Sequence, residues 1–130
     1  MKTTYLYIGF VVVLLASIVV FRQYAGPASE RNASTPEYDA FAQCLSDAGA
    51  KFYGAFWCPH CEEQKDMLKN SPKLPYIECS TLDGESQTQV CIDEKIVGYP
   101  TWKFADGSEL SGTQELTTLG EKTNCVLPTS

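Results

Sequence analysis

The sequence predicts an α/β fold, a central mixed sheet flanked by helices, set behind an N-terminal transmembrane helix. Three features point to it. Beyond residue 35, helix-type and strand-type segments alternate in the order α-β-α-β-α-β-β-α, and a sheet covered by helices is the economical packing for that order. Two cysteines three positions apart, Cys58 and Cys61, stand where a strand-type run gives way to a helical one. An unbroken apolar run from Tyr5 to Phe21 precedes everything else.

That run, with Lys2 before it and Arg22 closing it, is at the lower edge of what spans a bilayer and longer than most signal-peptide cores. Residues 1–23 are expected to be a signal anchor. Cleavage and secretion is the alternative, drawing on the small residues Ala25, Gly26 and Ala28. Residues 24–35, rich in Ala, Gly, Pro, Ser, Asn and Thr, read as a flexible linker. The domain occupies 36–130.

Within it, Ser34-Thr35-Pro36-Glu37 is a helix start, with a capping hydroxyl, a first-turn proline and an early glutamate. Tyr38, Phe41, Ala42 and Leu45 follow at core-facing spacing, and Asp47-Ala48-Gly49 ends the helix. Lys51 to Trp57 is the first strand, and Phe52 and Phe56 are read as core. The next helix runs from Cys58 to about Asn70, broken by Ser71-Pro72. Leu74 to Cys79 forms a second strand and 81–86 a loop. Gln87 to Ile96 is helical, carrying Val90, Cys91 and Ile96.

After Val97-Gly98-Tyr99-Pro100 comes a strand, Thr101 to Phe104. A turn at Ala105-Asp106-Gly107-Ser108 leads to an edge strand over 109–111. Thr113 is expected to cap the last helix, with Leu116, Leu119 and Gly120 inward.

Composition narrows the function. The net charge is −6, with 16 acidic residues against 10 basic ones, two of which flank the apolar run. So acidic a domain lacks the basic surface that nucleic-acid binding needs. Six cysteines behind a membrane-targeting segment point to an oxidising, extracytoplasmic compartment, periplasmic or equivalent.

Cys58-Pro59-His60-Cys61 carries the chemistry. Cys58 reads as a helix N-cap, Pro59 as the first helical residue, and Cys61 as one turn further in. The positive helix terminus stabilises a thiolate at Cys58, and a protonated His60 adds to it, tuning the pair towards oxidation of others. A c-type haem site requires histidine after the second cysteine, where Glu62 stands. Zinc would need two further ligands from Cys79, Cys91 or His60, without the tight second knuckle such sites use. A purely structural disulfide is the plain alternative. Tyr99-Pro100, an aromatic before a proline at a strand start, is a candidate cis peptide. Trp57, beside Cys58, is the aromatic expected to be partly exposed and to line a substrate groove.

Together, Phe41-Ala42-x-Cys44-Leu45, Gly49 to Cys61, Leu74-Pro75-Tyr76-Ile77-Glu78-Cys79 and Gly98-Tyr99-Pro100-Thr101-Trp102 resemble one family. It is the thioredoxin-like domain fused to bacterial and plant vitamin K epoxide reductase homologues, matched from Phe41 to about Cys125. The resemblance implies a thioredoxin fold with Cys58 as nucleophile and Cys61 as buried resolving thiol. It also implies a cis-Pro100 facing them, with Tyr99 pairing its backbone to a bound polypeptide, and a Cys79–Cys91 disulfide. Cys44 and Cys125 are left over; a second bridge, two buried thiols and a relay pair all stay open. First and last helices on opposite faces of such a sheet would weigh against the bridge.

The family's domain takes electrons from substrate cysteines and passes them to a membrane reductase and on to quinone. With one apolar segment in place of the family's four-helix bundle, a separate vitamin K epoxide reductase-like membrane partner is expected. No cofactor is expected to be bound here, quinone being reached only through that partner. The substrates are exported cysteine-containing polypeptides. Reductase or isomerase action, or a non-catalytic disulfide-stabilised binding module, are the alternatives. Where thioredoxin carries a buried acid six residues before its first active cysteine, this chain has Phe52, so no proton acceptor for Cys61 is evident there, and Glu62 or Glu63 acting through water is the alternative.

Overall fold

The computed structural model describes residues 7–9, 11–18 and 34–129, in two compact units, Met1–Arg31 and Asn32–Ser130. In the first unit residues 7–9 and 11–18 are helical. Much of the expected anchor and nearly all of the linker lie outside the described residues. Among the described residues no helix is long and apolar enough to cross a membrane.

The second unit runs α1 (Pro36–Asp47), β1 (Lys51–Gly54), α2 (Pro59–Met67), β2 (Tyr76–Glu78), α3 (Gln89–Asp93), β3 (Thr101–Lys103), β4 (Glu109–Ser111) and α4 (Leu116–Thr123). The sheet order is β2-β1-β3-β4. β1 pairs β2 in parallel, and the β1–β3 and β3–β4 pairs are antiparallel. The central strand β1 thus has both edges occupied, and its C-terminal end delivers the chain into α2.

Alternation along β1 sends Phe52 and Tyr53 to opposite faces. Phe52 stacks on its cross-strand partner Trp102, centroids 4.9 Å apart, in a cluster with Phe41 and Leu45 of α1, Cys61 of α2 and Leu119 of α4. Tyr53 packs with Cys79, Cys91 and Ile96 on the other side. α1 and α4 therefore touch each other on one face of the sheet, rather than lying on opposite faces as the sequence reading supposed. That placement brings Cys44 to Cys125, just past α4, in one disulfide; Cys79 and Cys91 form another.

Several boundaries differ from the sequence reading, each for a local reason. β1 stops at Gly54 and not at Trp57, because the Phe56 amide leaves the ladder and donates to Glu78 Oε1. The turn rotates Phe56 out of strand alternation, leaving it half exposed instead of in the core. α2 ends at Met67 because Lys69 and Asn70 both adopt left-handed backbone at φ 51°. α3 is shorter than 87–96: Gln87 bridges to Ser80, and Lys95 turns to φ 55°. Thr113 does not cap α4, whose N-cap is Glu115; its hydroxyl donates to the His60 carbonyl.

Candidate active site

The short turn after β1 places the two thiols. Cys58 N–H donates to Ala55 O, closing the turn, and Cys58 takes an extended N-cap conformation with Pro59 opening α2. The missing N–H of Pro59 falls where a helix has no partner for it, and its fixed φ suits the first turn. The Cys58 carbonyl accepts the N–H groups of Cys61 and Glu62. Both cysteines are free thiols, Cys58 5% exposed and Cys61 fully buried.

Opposite them, the Tyr99–Pro100 peptide is cis, and Pro100 is buried. The Cys58 thiol donates to Tyr99 O at 3.8 Å. The nucleophile candidate thus sits under a backbone carbonyl of the loop before β3. Cys61 lies deeper, and burial, with its hydrogen bond to Cys58 next, pushes its thiol up to about 12. A thiol so placed stays protonated until its partner sulfur changes state, which suits it to resolve rather than to attack first.

Close approach requires Gly54 at the end of β1. A Cβ there would stand 2.8 Å from Tyr76 Cε2 and 3.0 Å from Cys61 Sγ. No larger residue lets α2 sit so near the sheet.

Trp57 is half exposed, its indole N–H donating to Ser80 Oγ at 2.8 Å and its ring edge-on to Tyr99 at 5.9 Å. With Phe56 it forms an apolar rim beside Cys58. His60 projects outward, Nδ1 3.3 Å from Glu63 Oε2. No described hydrogen bond joins its ring to either cysteine, so the structure brings Cys58, Cys61, Tyr99 and Pro100 together and leaves the His60 ring beside Glu63. Among the described residues no group of three or more His, Cys, Asp or Glu is placed to hold a metal ion.

Comparison with known proteins bears on the fold and on the chemistry. No protein-family model matches the chain. It is 42% identical over 97 residues to the thiol-disulfide oxidoreductase LTO1 of Arabidopsis thaliana, covering 71% of this chain and 26% of that protein. It is 30% identical over 99 residues to a thioredoxin domain-containing protein 5 homolog of Drosophila melanogaster, covering 64% of this chain and 23% of that protein. The domain is thioredoxin-like. The chain spans about a quarter of the length of these two relatives.

Three side chains of the thioredoxin-like domain went unnoticed in the sequence. Gln64, fully buried on α2, accepts from Trp102 Nε1 at 3.1 Å and from Gln114 N–H at 2.7 Å, and donates to Gln114 O. Glu78 Oε1 accepts from the amides of Phe56 and Ser80, and Oε2 from the Tyr76 hydroxyl. Ser80 anchors Trp57. A carboxylate between Ile77 and Cys79 in an otherwise apolar strand was the one signal available for Glu78. Gln64 lies in a run of polar residues and carried none.

Proposed function

We propose that the chain is a protein thiol–disulfide oxidoreductase working through the Cys58–Cys61 pair. The observation that carries this is Cys58, a free thiol at the start of α2 held under the Tyr99 carbonyl, with the buried Cys61 thiol one helical turn behind it. Similarity to a protein named as a thiol-disulfide oxidoreductase supports it.

In the oxidising direction a substrate thiolate attacks Cys58 of the Cys58–Cys61 disulfide, and Cys61 departs with the electron pair of the broken bond. A second substrate thiolate then attacks the substrate sulfur of the mixed disulfide and releases Cys58. The substrate leaves with a disulfide, and two electrons remain on the pair as two thiols. The reverse sequence reduces a substrate.

We read the direction as oxidation, with Pro59 and His60 setting the potential and electrons passing to a vitamin K epoxide reductase-like membrane partner and then to quinone. Pro100, Tyr99 and Trp57 form the groove in which an exported cysteine-containing polypeptide docks. Residues 1–23 anchor the domain on the extracytoplasmic side. The apolar run from Tyr5 to Phe21 and the high cysteine usage support that placement.

Alkylation of the mildly reduced protein tests the reactive thiol. Cys58 is expected to react faster than an unfolded cysteine at mildly acidic pH; equal rates leave a disulfide-stabilised binding module as the better reading. A Cys61→Ala variant is expected to trap partners on Cys58. The potential of the pair decides direction, near about −120 mV for an oxidase and near about −270 mV for a reductase.

A further inference from the structure

Whichever way electrons run, Cys61 must give up or regain a proton in the core, and the face of β1 that meets it offers nothing to carry it, Tyr53 packing on the other side. Its residue Phe52 is buried against Trp102, and Gly54 has no side chain. The neighbouring strand is different. In the parallel β1–β2 register Phe52 lies opposite Tyr76 and Gly54 opposite Glu78. Paired residues of parallel strands emerge on one face, so Tyr76 and Glu78 leave the sheet on the side of the open Gly54 position. That position is bounded by Tyr76 Cε2 at 2.8 Å and Cys61 Sγ at 3.0 Å. The Tyr76 hydroxyl donates to Glu78 Oε2 at 2.7 Å.

We propose that Tyr76 and Glu78 are the proton route of Cys61, the Tyr76 hydroxyl relaying between the thiol and the Glu78 carboxylate. The proposal rests on the oxidoreductase reading above and names the groups that serve its resolving step. In that step Cys61 Sγ attacks Cys58 Sγ of the mixed disulfide. The Cys58–Cys61 bond forms, the bond from Cys58 to the substrate sulfur breaks, and the substrate leaves as a thiolate with the bonding pair. In the reduced protein the Tyr76 hydroxyl hydrogen-bonds to Glu78 and not to Cys61, so the Cys61 proton passes through a bridging water to the phenol oxygen while the phenol proton passes to Glu78, which then exchanges it with solvent. Run backwards, the same route reprotonates Cys61 when it is expelled from the disulfide.

The carboxylate is held for this task. Oε1 is occupied by the Phe56 and Ser80 amides at 3.2 and 2.8 Å, leaving Oε2 aimed at the phenol. The Lys65 ammonium lies 4.0 Å above the Tyr76 ring and pairs with Glu62 at 2.8 Å, so the ring is clamped from the α2 side. The titratable groups around the thiol and phenol are thus Cys58, Glu62 and Lys65 from α2 and Glu78 from β2. Burial and the Glu78 hydrogen bond raise the phenol well above its ordinary range, consistent with a hydroxyl that hands protons on without ionising. Glu78 acts through Tyr76: it takes the proton from the phenol and touches neither reacting sulfur.

Release of thionitrobenzoate from 5,5′-dithiobis(2-nitrobenzoate) by the mildly reduced protein separates the steps. A first equivalent reports attack by Cys58 and a second reports resolution by Cys61. In Tyr76→Phe and in Glu78→Gln, which keeps an oxygen for the two amides, the first phase is expected to hold. The second is expected to slow by roughly a hundredfold at neutral pH, the scale of general acid–base assistance. The deficit should close as pH rises and hydroxide takes the proton directly, and the double variant should be no slower than either single one. A second phase unchanged in both variants overturns the proposal, as does a deficit independent of pH or a parallel loss of both phases. A wild-type protein showing no second phase overturns the oxidoreductase reading itself.

Discussion

The indole N–H of Trp102 and the Oε1 of Gln64 meet at 3.1 Å inside the core, joining β3 to the helix that begins at Cys58. Gln64 also exchanges two hydrogen bonds with the backbone of Gln114. One buried amide thus fixes α2 against the strand beside β1 and against the approach to α4. A helix that begins at a free thiol is thereby held in angle and height, and a polar contact with three partners does this more specifically than apolar packing.

Removing that amide is expected to be costly. Gln64→Leu keeps the volume but leaves the Trp102 indole N–H and the Gln114 amide buried without partners. At about 1–3 kcal/mol for each of the two stranded groups, the loss should be roughly 2–6 kcal/mol. Urea unfolding with both structural disulfides intact measures it.

Gly54→Ala tests how closely α2 rides on the sheet. The added methyl would meet the Tyr76 ring at 2.8 Å, closer than real Cβ atoms come, and the Cys61 sulfur at 3.0 Å, tighter than most real contacts. Overpacking of this kind destabilises by about 1–3 kcal/mol. Because the clash is at Cys61, resolution of a mixed disulfide should slow as well, and thermal melting together with the two-phase thiol assay checks both.

The two structural disulfides should differ in weight. Cys44–Cys125 closes a separation of 81 residues and Cys79–Cys91 one of 12. In the chain-entropy model that corresponds to about 4.5 against about 3 kcal/mol. Replacing Cys44 and Cys125 by alanine is therefore expected to lower the melting temperature more than replacing Cys79 and Cys91.

Stability of the reduced protein should fall in alkali, and Cys61 should contribute. Its folded-state value of about 12 lies above the ordinary 9.0, so the folded state holds the proton more tightly than the unfolded chain. Its contribution is full below the unfolded value and is lost as pH rises from about 9 toward 12. Reduced wild type should lose stability over that window more steeply than Cys61→Ala, as denaturant titrations at successive pH values would show.

Much of this was legible locally. Phe41, Ala42 and Leu45 repeat at helical spacing and are buried. Pro59 occupies the first helical position that its type favours, with Cys58 at the N-cap and Cys61 in the first turn, since that preference depends only on the nearest peptide groups. The pairing of Cys79 with Cys91 was implied by resemblance. Failures came where a distant partner overrode the local pattern. Phe56 left the strand because its amide found Glu78, 22 residues on. Thr113 left its capping role for His60, 53 residues back.

The sequence by itself determined the pieces of the candidate site: two thiols at the head of a helix, an aromatic–proline pair forty residues later, and cysteines enough for two further bridges. Those are matters of residue type and short spacing, and local propensities and covalent chemistry suffice to read them. Only the tertiary structure decided what surrounds the thiols. It set α1 and α4 on one face, so that Cys44 reached Cys125. It brought Tyr76 to the edge of the space beside Cys61, with Glu78 hydrogen-bonded to it. Strand register and helix stacking make those contacts, and both arise from packing summed over the whole core rather than from any one segment.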